Sequence, residues 1–483
     1  MISMFEERRS CDQVGELLER ACKFLLARMS DNVQWCALDE EVIAKLPAFD
    51  SVDAGIFLKI CLKRQLRPSD HCLDLLLKRV ANKKTSAQFS VNAAIVALHA
   101  SHQFKFPARA VSSLFQQADR LAENFSVADS VRLLFACTLH KQISLATKLR
   151  ERLCDSLRDE SQIWTARDVH SFVASLTKLK IFNQNSAVAV DFRMNFRASE
   201  IFLSELSLDE LSHLLHGFSR VPQPHDFGNF FEKLSDEISL AENWSPTNFA
   251  LVLSSLARAQ VKPEILMDRC ESEFSGIEKF LDDREFSQVM HALVKLKMVD
   301  AEIFEKVTAR CKVIFLNMNM QSAALCFWAA AKSGKEVDFI FDAMRDRVLG
   351  EEISVTDAVR ISISGKIEKI GKDATEVILN RLAESVIPIE DMANVAAGID
   401  KFPGPAKVII SRFLGSKQPS VPSCLKIAEA AIACNCGEDE IRNFLNLHNF
   451  TEISKTEATR LASVAARLGD PLLDVALKVI NTS

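Results

Sequence analysis

His213 and His216 stand three residues apart, a spacing that puts two imidazoles on one face of a helix. Such a pair can begin a metal site, but a site needs more ligands and no acid or cysteine is assigned to complete it. The pair is read as two ordinary histidines of a helix face. Cys434 and Cys436 are the closest cysteines, and their spacing matches no common zinc module. The other cysteines, of 13 in all, are scattered, several on apolar faces (Cys61, Cys137, Cys326), as free thiols in a reducing compartment would be. The chain holds no GxSxG, P-loop, HExxH or GxGxxG phrase. It is therefore expected to be non-enzymatic, with no metal and no cofactor.

What remains for chemistry is cationic charge. The formal net charge is −5, yet it is unevenly spread. Residues 51–150 hold 15 Lys and Arg against 6 Asp and Glu, a balance of +9. Residues 201–483 hold 31 against 41, a balance of −10. In the basic part, Lys63, Arg64 and Arg67 end one helical stretch, and Lys78, Arg79, Lys83 and Lys84 end the next and enter the link after it. Asp70 and Asp74 are the acids interspersed. A local cationic surplus of this kind suits phosphate, so RNA is the expected partner of residues 51–150. The acidic C-terminal part is expected to contact other proteins.

The elements that would carry these charges are written as a repeated phrase. "WTARDVHSFVASLTKLKIF" (164–182) and "LDDREFSQVMHALVKLKMV" (281–299) share a bulky apolar residue, a capping residue, an acid three places on, and a Leu-x-Lys-Leu-Lys close. A cap followed three residues later by an acid or Gln is the capping-box signature of a helix start. Asp50 with Asp53, Thr85 with Gln88, Ser126 with Asp129, Thr165 with Asp168, Ser207 with Glu210, Asp282 with Glu285, Ser354 with Asp357 and Ser454 with Glu457 fit it. Ser245 starts another copy, and weaker ones begin near Asn319, Glu390 and Ser423. Trp164 and Trp244 precede caps, where a hydrophobic staple explains them.

Apolar residues recur four, seven and eleven places after the caps, one face of a helix. A break and a second helical stretch follow. The starts advance by 404 residues over 11 steps, a mean near 37. Two helices at such a period predict an all-α fold, an α-solenoid of about twelve helix-hairpin repeats. Residues 1–49 read as an N-terminal cap helix and loop, 50–353 as well-patterned repeats, and 354–483 as degenerate ones. Sparse Gly (14) and Pro (13) agree.

The period also aligns the cations. Thirteen residues after the cap stand Lys63, Lys178, Arg220, Arg258, Lys295, Lys332 and Arg467, and Lys180 and Lys297 close the two quoted phrases. A cation in the last turn complements the helix dipole. Stacking of repeats would also align these residues into a ridge that tracks phosphates. The two readings are compatible.

"FSQVMHALVKLKMVDAEIFEKV" (286–307) and "FALVLSSLARAQVKPEILMDRC" (249–270) resemble units of organellar helical-repeat proteins: the octotricopeptide, heptatricopeptide and FASTK-like classes. The resemblance covers about residues 50–350. It implies a repeat fold that acts on messenger or ribosomal RNA in mitochondria or plastids, or as part of an organellar ribosome. The RAP domain that often ends such chains is not recognisable, since "PLLDVALKVINTS" still reads as helix; nuclease activity is therefore not expected. The functional expectation is an RNA-contacting component of the mitochondrial ribosome or its assembly, the alternative a protein scaffold without RNA contact. A mitochondrial location is expected, with plastid or cytoplasm as alternatives. No run of about 18 apolar residues is present to span a membrane. The first helix carries Glu6, Glu7, Asp12, Glu16 and Glu19, which an import presequence avoids, so a leader is either absent or removed before residue 1.

Overall fold

The computed structural model describes residues 17, 40–45, 49, 51–64, 67–80, 87–122, 125–195, 203–335, 337–415, 419–436, 438–446, 450, 453–469 and 472–482. Every regular element among them is helical. The cap helix expected in residues 1–49, and the caps Asp50 and Thr85, fall mainly outside the described residues.

The chain divides into two compact units, residues 1–241 and 242–483. In the first, α1 (Ser51–Arg64), α3 (Ala87–Gln103), α5 (Val127–His140), α7 (Ala166–Lys178) and α9 (Leu208–Phe218) are first helices of five hairpins. Their second helices are α2 (Asp70–Val80), α4 (Ala108–Leu121), α6 (Ile143–Arg158), α8 (Gln184–Asn195) and α10 (Gly228–Leu240). In the second unit the first helices are α11 (Pro246–Ala259), α13 (Asp283–Lys295), α15 (Met320–Ser333), α17 (Val355–Ser362), α19 (Ile389–Gly398), α21 (Val421–Ala433) and α23 (Lys455–Leu468). The second helices there are α12 (Glu264–Ile277), α14 (Glu302–Ile314), α16 (Asp338–Gly350), α18 (Lys372–Glu384), α20 (Pro403–Leu414), α22 (Glu438–Asn446) and α24 (Leu472–Thr482). The described residues thus form the expected twelve hairpins of an all-α helical-repeat fold. Within each unit, successive first helices pack side by side into one layer.

The caps act as the sequence requires. Thr165 Oγ1 accepts from the Asp168 N–H at 3.1 Å, while the Asp168 carboxylate accepts from the Thr165 N–H at 3.3 Å. Ser207 with Glu210, Asp282 with Glu285, and Ser454 with Glu457 repeat this reciprocal box. Ser126, Ser245, Asn319 and Ser354 make the single cap bond. The two weakest starts shift: α19 begins at Ile389 behind Pro388, and α21 at Val421 behind Ser420. A proline supplies the entry there in place of a hydrogen-bonding cap, because its fixed φ suits a helix start. Replacing Thr165 by Ala is expected to cost about 1 kcal/mol, read as an earlier urea midpoint for the first unit. An unmoved midpoint would mean that this cap carries no stability.

Trp164 and Trp244 are 3% and 8% exposed, the staples expected of them. The Trp244 ring meets Phe249 edge-on at 6.1 Å, and Trp164 meets Phe172 at 6.0 Å. Phe57, Phe172, Phe218, Phe249, Phe286 and Phe327 are fully buried on the apolar stripes of first helices.

The exit from the first helix is equally periodic. Lys141, Lys180, Gln260, Lys297, Gly334 and Gly469 stand fifteen residues after their caps, and all have φ between 54° and 71°. One left-handed residue turns the chain out of the helix and satisfies a last-turn carbonyl. In Leu-x-Lys-Leu-Lys, then, Leu176 and Leu293 fill the core, Lys178 and Lys295 project from the last turn, and Lys180 and Lys297 make the left-handed exit.

Where first helices touch, small residues let them approach. A Cβ on Gly217 of α9 would lie 2.4 Å from the Val173 side chain of α7, and one on Gly55 would lie 3.0 Å from Ala93 Cβ. These contacts hold the layer tight and fix how far apart the cations of neighbouring repeats stand.

Candidate nucleic-acid interface

On α5, α7, α9, α11, α13, α15 and α23 the positions two, six, nine and thirteen past the cap lie along one stripe turned away from the core. The thirteenth position is cationic and exposed at Lys178, Arg220, Arg258, Lys295, Lys332 and Arg467. Local sequence places them there, because the last helical turn follows from the cap and the left-handed exit. Among the described residues Lys178, Lys180, Arg220, Lys295, Lys297, Lys332 and Arg467 make no ion pair.

Some cations elsewhere are paired, while others, among them Lys105, Lys262, Lys312 and Lys407, also make no ion pair among the described residues. Lys306 reaches Glu302 at 2.8 Å, Arg345 reaches Asp342 at 3.3 Å, Lys335 reaches Asp300 at 2.7 Å and Lys148 reaches Asp119 at 3.1 Å. Several hairpins depart from the ridge pattern: Leu139, Ile367 and Ala433 take the thirteenth position in the third, ninth and eleventh, and in the tenth Lys401, thirteen past Pro388, pairs with Glu368 at 2.6 Å. Ion pairs are thus made on second helices, on links and at some first-helix positions such as Arg360 with Asp357 at 3.3 Å, but not at the thirteenth positions Lys178, Arg220, Lys295, Lys332 and Arg467. Macrodipole complementarity explains a cation at a helix end. It does not require the cation to stand at the same register position of successive repeats, as it does at Arg258, Lys295 and Lys332.

The basic N-terminal part is less uniform than its composition suggests. Arg67 pairs with Asp70 at 2.6 Å and Lys78 with Asp74 at 2.7 Å, so the two interspersed acids each neutralise one cation of the cluster. The side chains of Lys63, Arg64 and Arg79, and all of Lys83 and Lys84, lie outside the described residues.

The histidine pair does not converge on a ligand. His213 Nδ1 lies 2.8 Å from the Asp209 carbonyl oxygen, and no group of three or more His, Cys, Asp or Glu among the described residues could hold a metal. His170 stands opposite His213, ring centroids 6.0 Å apart, with Glu210 at 3.9 Å from its Nδ1. The described cysteines are free thiols. Burial pushes Cys137 up to about 12, as expected of a small core residue, and raises Cys434 and the half-buried Cys436 as well. No helix among the described residues is long and apolar enough to cross a membrane.

Aromatic rings interrupt the ridge in ways the sequence reading did not anticipate. Phe135, nine past its cap, is 41% exposed and stacks at 5.5 Å on His99 of the preceding first helix. His291 and Trp328, each nine past a cap and 37 residues apart, pair across α13 and α15 at 4.6 Å. Lys295 Nζ lies 5.9 Å from the centre of the Trp328 ring. The repeat register held the signal: both rings occupy the same position in adjacent units, on the stripe that carries the cations.

Burial holds the His291 imidazole down to about 4, helped by Lys295 on its own helix, Arg258 on α11 and Arg360 on α17. Unfolded histidine takes its proton near pH ~6.5. Acid therefore favours the unfolded chain between these two values, and the stability due to neutral His291 is lost as pH falls through about 4. A loss of about 1–2 kcal/mol is expected on going from about pH 7 to about pH 4.5. His291→Gln should remove that part of the difference between urea midpoints at the two pH values. An identical pH dependence in the variant would mean that His291 is not desolvated.

No family model matches the chain, and no curated protein matches it. Among solved structures, the crystal structure of the pentatricopeptide repeat protein PPR10 from maize is similar at 12% identity and a TM-score of 0.33. The match covers 100% of this chain and 72% of that one. The class is defined by the chain's own hairpins: this is an all-α helical-repeat protein in which, within each unit, first helices carry exposed cations and aromatic rings at recurring register positions.

Proposed function

We propose that this chain is a non-enzymatic RNA-contacting repeat protein of the mitochondrion, acting in the mitochondrial ribosome or its assembly. The observation that carries the RNA contact is the recurrence of exposed cations without an ion pair at one register position of the first helices, Lys178, Arg220, Lys295, Lys332 and Arg467, in a protein that is acidic overall. Within a unit, charges one repeat apart, such as Lys178 and Arg220 or Lys295 and Lys332, suit a phosphate backbone, and rings among them suit unpaired bases. Single-stranded or looped RNA is therefore the substrate class. The +9 surplus of residues 51–150 adds a further contact, and the acidic surface of residues 201–483 faces protein neighbours in the assembly. The organellar setting rests on the resemblance of residues 249–307 to organellar repeat units.

Gradient sedimentation of the endogenous protein, with and without RNase, tests the whole reading. Co-migration with mitochondrial ribosomal particles that RNase disrupts is the expected result. A light species indifferent to RNase would overturn it in favour of a protein scaffold.

A further inference from the structure

The chain has four tryptophans, and two of them are buried staples. Trp328 is different. It sits nine past its cap on the open stripe of α15, half-buried, and its indole N–H has no partner among the described residues. A large amphipathic ring rarely stays this wet without a use, since its polar edge is normally satisfied when the ring serves the core. One side leans on His291, which stays neutral and so adds a flat ring rather than another charge. Lys295 flanks it from α13, and Lys332 lies one turn further along α15.

Two further features surround this ring. Lys332 Nζ lies 3.8 Å from where a Cβ on Gly365 would stand, beside Lys366; partial burial first and repulsion from Lys366 second disfavour its ammonium, and neither lysine has an ion pair among the described residues. Two ammonium groups left together in an acidic protein are a place for an anion. One turn towards the helix N-termini, a groove of about 360 Å³ opens on the same stripe, walled by Arg284, Gln288, Asn319, Gln321 and Arg360. Its amides offer both donors and acceptors, the groups that hydrogen-bond a base edge.

We infer that α13, α15 and α17 form a nucleotide clamp for single-stranded RNA: one base stacks on Trp328 backed by His291, and a neighbouring phosphate binds between Lys332 and Lys366. This deepens the RNA reading above and rests on it. An acidic peptide would satisfy the lysines but would leave the ring pair and the amide-lined groove without a role.

The test uses the full chain and an oligoadenylate of about 12 nucleotides, within the usual span of a single-strand site. Binding is followed by anisotropy of a labelled RNA and, in parallel, by the protein's own tryptophan fluorescence. Binding of the single strand should quench the parent's fluorescence, and Trp328→Phe should bind within about threefold while losing most of the quench. Trp328→Ala should bind about tenfold more weakly or worse. Lys332→Gln should flatten the dependence of log affinity on log salt by about 0.7. Thermal unfolding of each variant verifies its fold, and the phenylalanine variant keeps the test sound if the alanine variant does not fold. RNA binding with Trp328→Ala unchanged and no quench would overturn the clamp and leave the RNA reading standing. Equal quenching by polyglutamate would also overturn the clamp. No RNA binding by the parent would overturn both.

Discussion

Glutamate at Lys178, Arg220, Lys295 and Lys332 together will reduce RNA binding by more than about 100-fold while leaving helicity intact. Each lost phosphate contact on a single strand removes about 0.7 from the salt slope, so the slope should fall by about 2.8, and reversed charges add repulsion. These side chains are exposed and make no ion pair among the described residues, so the fold has little to lose. The comparison set is Lys148, Lys306, Lys335 and Arg345, each already paired with an acid. Reversing those four changes net charge by the same amount and should weaken RNA binding by less than about threefold, a long-range effect that salt screens. Equal losses from both sets would mean that pairing does not report the binding face. A third set, Lys78, Arg79, Lys83 and Lys84 to Glu, measures what the basic N-terminal part adds. Lys78 is already engaged by Asp74 at 2.7 Å, so this set should lose less than its charge alone suggests.

Gly398→Ala is expected to be the most damaging single change in the second unit, at about 3 kcal/mol or more. The glycine ends α19 where it crosses α17. A Cβ there would lie 2.1 Å from the Ser362 carbonyl oxygen and 2.9 Å from its carbonyl carbon. Backbone atoms of a neighbouring helix cannot rotate aside as a side-chain tip can, so the two helices must separate. Overpacking that only shifts side chains costs about 1–3 kcal/mol. Parting two first helices also exposes the apolar seam between them, where Ala393 and Ala396 are fully buried. Urea denaturation followed by circular dichroism should show the second unit melting earlier, with the first unit's transition in place. Gly404→Ala, where a Cβ meets nothing within 4 Å, should leave both unchanged. A parent-like transition for Gly398→Ala would show that the two helices do not approach as described.

Helices, caps and period were legible because they are local. A capping serine or threonine and an acid three residues on are neighbours by covalent geometry, so Thr165 with Asp168 and Ser454 with Glu457 could be read without knowing what they pack against. The apolar stripe was legible for the same reason, since residues four, seven and eleven past a cap share a face whatever lies opposite. The left-handed exits were not read from the sequence, and most of them carry no glycine to mark them. Lys141, Lys180 and Lys297 carry positive φ in the place that Gly334 and Gly469 take elsewhere, and lysine gives no sign of that conformation. The clamp was half legible, because one register places His291 and Trp328 at the same position of adjacent repeats.

The sequence by itself determined the class of fold and the positions of the cations along each helix, since both follow from interactions within about four residues. Tertiary structure decided which cations are free to meet an anion. Lys148 finds Asp119, Lys335 finds Asp300 and Arg460 finds Glu429, partners 29, 35 and 31 residues away, brought close only when one hairpin stacks on the next. Lys178, Lys295 and Lys332 are left without such partners by the same stacking. Charge counts along the chain cannot separate the two groups, because ion pairing depends on distances of a few ångströms that the stacking of repeats sets.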